Sequence, residues 1–459
     1  MRDFLPADVR RREYVVRVIK DVYERYGFEP LETPAVENIE TLMGKYGEEG
    51  NQLIYKILKR GEHERTGEAD LALRYDLTVP LARVVAEHGD KLPRFFKRYQ
   101  IQPVWRADRP ARGRYREFYQ CDVDCIGTRS PVVEAEICAA SNDVLRALGF
   151  DNFTIRLNHR QVLAGMLDSS GVPPEKHVDA LTELDKVNKI GPAGVAQGLE
   201  ARGIDPHAIN ALMSLLVTIS IEPELRLPPD ESSKLTSVDR NTYLLNYLAE
   251  LLRDHEAGAH GVINLRKIVE YAAAHGAAER IRIDASLARG LSYYTGAIME
   301  ISVPDLAGSL GGGGRYDNLV GMFSGKDITA CGFSLGLERI VLVMTERGMY
   351  PESLGSASAD VLVTVWNEES VKDSLAFASE LRKSAPGLRV DVYPEADKLG
   401  KQLKYASALG VPFVVVIGDD ERARGEVALK DMKTGEQRTL KREQAGASIS
   451  EALNSAVSS

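Results

Sequence analysis

Arg106, Phe118, Gln120, Asp122 and Asp124 are the residues whose types and spacing first suggest chemistry in this chain. They sit in one stretch, Val104 to Ile126, where apolar, aromatic and polar residues alternate on both sides of a long basic loop. Alternation with period two is the signal of a half-buried antiparallel pair of strands. Successive side chains on a strand point to opposite faces. Phe118, Gln120, Asp122 and Asp124 therefore share one face, and Tyr119, Cys121, Val123 and Cys125 the other. A sheet that packs its greasy face on helices would leave Arg, Gln and Asp on a wet working surface, with Arg106 at the end of the opposing strand. That is a binding site, unless it is an ordinary amphipathic hairpin with a solvated face.

Arg106, Arg289 and Arg339 each sit at a strand end or helix start among apolar neighbours, where an unpaired guanidinium is costly. A structural ion pair would answer for any one of them. All three, with a basic loop and an aromatic, Phe118, suited to stack on a base, favour a triphosphate. From Lys91 to Arg116 nine Lys or Arg stand against a single acid, Asp108, the local footprint of a phosphate-bearing partner. The whole chain carries a net charge of -9, which argues against a protein that coats nucleic acid along its entire surface. The glycine run Gly311 to Gly314 leads into Arg315-Tyr316-Asp317 without a Gly-Lys-Ser or Gly-Lys-Thr, and it opens no helix in a strand-helix-strand unit, so Walker and Rossmann sites are set aside. Its glycines either let backbone approach a ligand or neighbouring strand closely, or form a tight turn. Cys121, Cys125, Cys138 and Cys331 show neither paired CxxC nor ligand spacing with histidines, so buried free thiols are expected and no metal site.

These residues must be positioned by a chain of 459 residues, 44% hydrophobic and 27% charged, enough for two or three domains. Val15, Val18, Ile19, Val22 and Tyr26 recur at helical spacing, Gly27 ends the helix, and Phe28 to Pro34 reads as an extended strand whose two prolines push it to an edge or an interface. A short helix, a strand near Leu53 to Leu58 and a loop around His63 follow, and then Leu71 to Pro80 reads as a strand running into a helix. There Thr78 with Pro80 suits an N-terminal cap, although Asp76 and Thr78 are also spaced to point the same way at a strand end. The pattern predicts a helix over about Pro131 to Leu148, a strand at Phe153 to Asn158, an all-helical insertion from about Gly165 to His275, and strands at Ile281 to Asp284 and Tyr293 to Val303. Cys331 to Arg339 leads into an apolar helix, Ile340 to Met344. Beyond a small-residue linker, Gly348 to Ala359, strand, helix, strand, helix and strand alternate up to Ile417, which predicts a small parallel or mixed α/β domain with Lys398, Lys401 and Lys404 on one helix. No apolar run spans a bilayer and Met1 to Phe4 shows no signal-peptide pattern, so a cytoplasmic protein is expected.

Several of these stretches carry a resemblance. Gly27-Phe28 with Pro34, Trp105-Arg106 through Phe118, and Gly336-Leu337-Glu338-Arg339 resemble the three motifs of the class II aminoacyl-tRNA synthetases. Leu287-Ala288-Arg289-Gly290-Leu291-Ser292-Tyr293-Tyr294 and Gly313-Gly314-Arg315-Tyr316-Asp317 resemble the two signatures of the histidyl branch, and are highly specific together. Tyr393-Pro394-Glu395-Ala396 and Leu399-Gly400-Lys401-Gln402 resemble its anticodon-binding module, so the resemblance covers nearly the whole chain. One departure is Ser292, where the family usually has Asp.

The resemblance implies an α+β catalytic domain, an antiparallel sheet flanked by helices, over residues 1–164 and 276–347, with an all-helical insertion at 165–275. It places a linker at 348–359 and a C-terminal α/β anticodon-binding domain at 360–459. The implied activity is histidine–tRNA ligation by a homodimer, with L-histidine, ATP with Mg2+, and tRNA-His as partners. Asp76, Leu77, Thr78 and Gln120 would surround the substrate's α-amino group. Arg106 and Arg289, the catalytic pair, would hold the amino acid's carboxylate and the ATP α-phosphate, and Asp124 and Tyr294 would read the imidazole with Tyr293 and Tyr316 closing the pocket. Phe118 and Arg339 would sandwich adenine, Arg114 and Arg116 would reach the outer phosphates, and Arg109 and Arg112 would meet tRNA. A synthetase-like histidine-binding regulatory protein, such as the relative that serves as a subunit of ATP phosphoribosyltransferase, is the alternative. That relative lacks the anticodon module and usually erodes the signatures.

Overall fold

The structure, a computed structural model, describes all residues except 61–65, 226–234, 289–292, 352–353, 355–356 and 458–459. The loop around His63, and Arg289 with Ser292, therefore lie outside the described residues. The chain forms two compact units, Met1–Met349 and Tyr350–Ser459.

The first unit is built on strands β1 (Glu29–Pro30), β2 (Val36–Asn38), β3 (Lys56–Leu58), β4 (Ala69–Leu73), β5 (Phe96–Trp105), β6 (Glu117–Ile126), β7 (Thr154–His159), β8 (Ile281–Ile283), β9 (Ala297–Ser302), β10 (Ser309–Arg315) and β11 (Ala330–Gly336). Eight of them make one sheet, ordered β1-β5-β6-β11-β10-β9-β7-β8. It is antiparallel except at its two edges, where β1 runs parallel to β5 and β8 to β7. β2, β4 and β3 form a separate small sheet.

Register makes the polar field. Arg98, Gln100 and Gln102 on β5 lie opposite Asp124, Asp122 and Gln120 on β6. On the other side of β6, the same three residues lie opposite Gly332, Ser334 and Gly336 of β11. Directly opposed residues share a face, so three strands pool their polar side chains on one side. On the other side Tyr99, Cys121, Val123, Cys331 and Phe333 are buried. Helix Pro6–Arg25 reaches that face, where Tyr23 donates to the Cys121 carbonyl at 3.4 Å and its ring lies 6.2 Å from that of Tyr99. All four cysteines are buried and free.

The expectation of a wet polar surface is corrected: Asp122 and Asp124 are each 2% exposed. The polar face runs into an apolar cluster in which Phe96, Ile126 and Ala330 of the sheet meet Val79, Leu81, Tyr293, Tyr316 and Leu319. The field is thus the floor of an enclosed site.

The glycine run is strand β10, and the tight-turn alternative falls. A Cβ on Gly313 would stand 2.1 Å from the Gly332 carbonyl oxygen, and one on Gly311 2.8 Å from the Phe333 ring, so strand and aromatic approach only because these side chains are absent. The strand expected from Tyr293 begins only at Ala297, because Tyr293 and Tyr294 turn off the sheet to pack against that apolar cluster. Of Phe28 to Pro34 only Glu29–Pro30 pairs as strand, at the sheet edge. The rest is tied down by buried Arg74, which donates to the Thr33 and Pro34 carbonyls at 2.6 and 3.1 Å and to the Pro103 carbonyl at 2.8 Å.

The stretch between β7 and β8 is helical, as its composition predicts: Arg160–Ser169, His177–Leu184, Val187–Ala201, Pro206–Leu225, Ser237–Leu251 and Glu256–Ala274. Asn241 joins it to the sheet edge, donating to the Ile281 carbonyl and accepting from the Ile283 amide, both at 2.8 Å. An amide side chain here does what a further strand would do.

The second unit orders its strands β13 (Val390–Val392), β12 (Val361–Val363), β14 (Phe413–Val416), β15 (Glu426–Asp431) and β16 (Gln437–Lys441). The first three are parallel and the last two antiparallel, which is the mixed form of the predicted α/β domain. The hairpin β15–β16 and the helix Ala445–Val457 extend it beyond the pattern read from the sequence.

Candidate active site

The first part of the site lies where β4 gives way to the helix Thr78–His88. Thr78 is that helix's first residue and not its cap; the Asp76 carboxylate accepts the Val79 amide at 3.1 Å and so does the capping. The same carboxylate accepts from Tyr46 at 3.0 Å and Tyr293 at 3.3 Å. Burial raises the Asp76 pKa, and the Val79 amide, Arg106 and the two phenols oppose the rise. Thr78 is in hydrogen-bonding reach of Tyr293.

Gln120 projects from β6 with its amide nitrogen donating to Ser334 Oγ at 3.0 Å, while its buried Oε1 has no partner among the described residues. That free acceptor suits a donor such as an ammonium. Asp124, two pleats along, accepts from the Tyr316 hydroxyl on Oδ1, and its Oδ2 lies 2.9 Å from Arg98. Tyr294 packs edge-on to Tyr293, centroids 5.0 Å apart, and Tyr293 lies edge-on to Tyr316 at 5.9 Å. Burial pushes all three phenols up, so they serve as neutral donors and acceptors.

A second, basic part of the site is set by the loop between β5 and β6. Arg106 follows β5, donates to the Tyr75 carbonyl at 3.1 Å, and has its guanidinium 4.2 Å from the Tyr75 ring centroid and 5.1 Å from that of Phe118. Two aromatic rings hold it without consuming its charge. Arg114 and Arg116 are exposed on the returning limb, near the Asp108 side chain and backbone respectively. Arg109 is exposed. Arg112 is tied to Glu346 and to the Asp305 carbonyl. Arg339, in the first turn of the helix Leu337–Glu346, donates to the carbonyls of Gly113 at 3.2 Å and Ser309 at 2.5 Å, which anchors the loop tip to that helix.

Arg315 of the glycine-rich signature points away from this site. It makes a bidentate pair with fully buried Glu134 at 2.7 and 2.9 Å, so its work is to hold the helix Val132–Ala147. Reading the sequence missed Tyr46, Arg98 and Ser334. Arg98 continues on β5 the alternation that marks β6, but only the hairpin register sets it opposite Asp124; Tyr46 approaches from a distant, locally featureless turn.

Comparison with known proteins decides the family. The sequence model described as histidyl-tRNA synthetase matches residues 1–340, and that of the anticodon binding domain matches residues 360–452. The chain belongs to the histidyl-tRNA synthetase family. It is 40% identical to the histidine–tRNA ligase of Gloeobacter violaceus, over 99% of this chain and 98% of that one, and 40% identical to that of Porphyromonas gingivalis, over 96% and 95%. Its fold matches the crystal structure of histidyl-tRNA synthetase from Nostoc sp. PCC 7120 with a TM-score of 0.79 at 32% identity, covering 98% of this chain and 97% of that one. Within this family the class II fold, a mixed sheet with helices and a C-terminal anticodon-binding domain, is accounted for along nearly the full length.

Proposed function

We propose that the chain is a histidine–tRNA ligase. It activates L-histidine with ATP to histidyl-adenylate, releasing pyrophosphate, and passes histidine to the 3′ end of tRNA-His. The observation that carries the reading is the alignment on one strand of Gln120, with an unpartnered buried acceptor, and Asp124, a carboxylate enclosed by tyrosines.

Asp76, Leu77, Thr78 and Gln120 take the α-ammonium, and Asp124 with Tyr294 takes the imidazole, whose neutral form offers one donor and one acceptor nitrogen. Tyr293 and Tyr316 close the pocket. Arg106 and Arg289 hold the carboxylate and the α-phosphate; Phe118 and Arg339 flank adenine; Arg114 and Arg116 reach the outer phosphates. The carboxylate attacks the α-phosphorus in line, the bond to pyrophosphate breaks, and the charge that gathers on the phosphoryl oxygens is met by fixed guanidiniums. Magnesium accompanying ATP would be held by phosphate oxygens; among the described residues no group of three His, Cys, Asp or Glu would cage it. Arg109 and Arg112 meet the acceptor end of tRNA, and residues from Asp360 onward read its anticodon.

The helical insertion runs over 165–275, between the catalytic segments 1–164 and 276–347. The homodimer is read from the resemblance of Gly27-Phe28 with Pro34 to the dimer-interface motif, and the Glu29–Pro30 strand in that stretch lies exposed at the edge of the sheet. Among the described residues no helix is long and apolar enough to cross a membrane, in keeping with a cytoplasmic enzyme.

The test is pyrophosphate exchange into ATP with each of the twenty amino acids, followed by charging of tRNA-His. Exchange with histidine alone, and charging, are expected. Histidine binding without exchange would make the chain a regulatory relative, and exchange with another amino acid a different ligase.

A further inference from the structure

Beneath the histidine pocket lies a charged group to which the reaction above gives no role. Arg98 is 0% exposed and faces two carboxylates: its Nη2 is 2.9 Å from Asp124 Oδ2 and 3.9 Å from Asp122 Oδ2. The same nitrogen lies 3.4 Å from the Leu77 carbonyl, in the segment that takes the substrate's ammonium. Ser334 accepts from Gln120 and hydrogen-bonds Asp122, so Asp122 is wired to the Gln120 amide. One guanidinium thus sits under both ends of the pocket.

We propose that Arg98 is a positioning residue for histidine selection: it fixes the orientation of Asp124 and keeps its carboxylate ionised, so that the imidazole meets a charged acceptor. The inference rests on the assignment of Asp124 to the imidazole.

Charge counting supports it. Two acids and one cation are buried together, and burial disfavours every charge that is not directly matched. Burial raises both carboxyls, Asp122 to about 7, and Arg98 opposes the rise in each. Asp124 has the shorter contact to Arg98 and a phenol on its other oxygen, so it ionises first and Asp122 keeps the proton. Around Asp124 stand Tyr316 and Tyr294 from the segments flanking β10 and β9, Cys331 on β11, and Tyr23 from the helix Pro6–Arg25. Cys125, its neighbour on β6, is pushed up to about 11. Burial lifts all of these and leaves them neutral. Asp76 faces Asp122 from the start of the helix Thr78–His88. Among the described residues, Arg98 is the cation that opposes the burial of Asp124.

The sign follows. The ionised carboxylate is the useful form, so kcat/KM for histidine falls as pH drops through the Asp124 pKa, and removing Arg98 raises that pKa further. In histidine-dependent pyrophosphate exchange, Arg98→Met should move the acid limb of kcat/KM up by about one pH unit or more, with the KM for ATP little changed. Arg98→Lys keeps the charge and should stay near the wild-type limb. The double variant Arg98→Met, Asp122→Asn leaves one buried carboxyl where the single variant leaves two without their guanidinium, and so guards against simple misfolding. Its limb should also move up, because Asp122 carries the proton when Asp124 is ionised, and so removing it restores nothing. A double variant with the wild-type limb would mean that Arg98 only balances Asp122, and an unmoved limb in Arg98→Met or in that double variant would overturn the proposal. The titration of the substrate's own imidazole is common to every variant. Asp124→Asn separates the two levels: undiminished kcat/KM in that variant sinks the imidazole assignment itself, whereas a loss there with unmoved limbs sinks only the role of Arg98.

Discussion

At the scale of single residues the site is a set of buried groups whose partners are mostly other buried groups. Asp124 accepts from Tyr316 on one oxygen, while the other is ion-paired with Arg98 at 2.9 Å but has no hydrogen-bond partner among the described residues, which leaves it open to an imidazole N–H. Asp124→Asn keeps the shape and loses the charge, at a cost of roughly 1.5 to 3 kcal/mol. We expect kcat/KM for histidine in pyrophosphate exchange to fall about tenfold or more, with the KM for ATP much less affected. A pocket built on paired polar groups also rejects analogues lacking the ring nitrogens by a factor of order 10⁴, so the helical insertion need not be an editing domain. Arg289→Ala should lower adenylation about a hundredfold or more in a folded protein, as the loss of a transition-state guanidinium does; normal exchange would remove Arg289 from the catalytic pair. The period-two pattern of β6 made Gln120 and Asp124 legible in the sequence. Arg98 was not, because which residue of β5 faces Asp124 depends on hairpin register, and a long basic loop does not set register by itself.

Elements show where motif residues serve the fold and where they serve the ligand. The pair Arg315–Glu134 is buried on both sides, 6% and 0% exposed, and ties β10 to the helix Val132–Ala147. Glu134→Gln leaves the guanidinium against a neutral amide, with only the more exposed Asp317 at 3.2 Å as a charged partner, which should destabilise the protein by roughly 3 kcal/mol, seen as a lower denaturant midpoint. An unchanged midpoint would mean that solvent reaches the arginine. Glu338, in the first turn of the helix Leu337–Glu346, accepts the Tyr119 amide at 2.9 Å and is pushed by burial from its ordinary 4.5 to about 7. An acid whose folded pKa is raised keeps its full stability below the unfolded value, and loses it as pH climbs from about 4.5 to 7. Glu338→Gln retains an acceptor without the charge. Its melting temperature should match wild type near pH 4 and exceed it above pH 7, a difference of at most roughly 3 kcal/mol. Equal pH profiles would show that Glu338 is solvated. The periodicities gave away most of the helices and the β5–β6 pair, though not β10, β11, the hairpin β15–β16 or the helix Ala445–Val457. What they left hidden is that the strand expected from Tyr293 starts at Ala297, since packing of two aromatic rings overrides local strand propensity.

On the scale of the molecule, the two units have separate cores. Phe377, Val415, Leu429 and Ile449 fill one side of the C-terminal sheet and Leu362, Ala406 and Val414 the other, all of them residues of the second unit. The apolar cluster beside the proposed histidine pocket runs from Leu42 to Ala330, and its described residues all belong to the first unit. Every described residue assigned to histidine or ATP precedes Tyr350, whereas Lys398, Lys401 and Lys404 stand exposed together with Tyr405 around the helix Leu399–Ala408. On an acidic protein such a local basic and aromatic surface is what a phosphate-dense, stackable RNA requires. A chain ending at Met349 should therefore fold and support histidine-dependent pyrophosphate exchange at close to the wild-type rate, while the KM for tRNA-His in charging rises by about tenfold or more, as expected when phosphate and stacking contacts are lost together. If a folded, shortened chain failed in exchange, the pocket would depend on the second unit in a way that the separate cores give no reason to expect. If charging were undiminished, tRNA would be read by the first unit alone. Replacing Arg109 in the complete chain probes the other end of the same RNA. A higher KM for tRNA with unchanged exchange would place the acceptor stem at the loop between β5 and β6, and equal losses in both assays would return Arg109 to ATP.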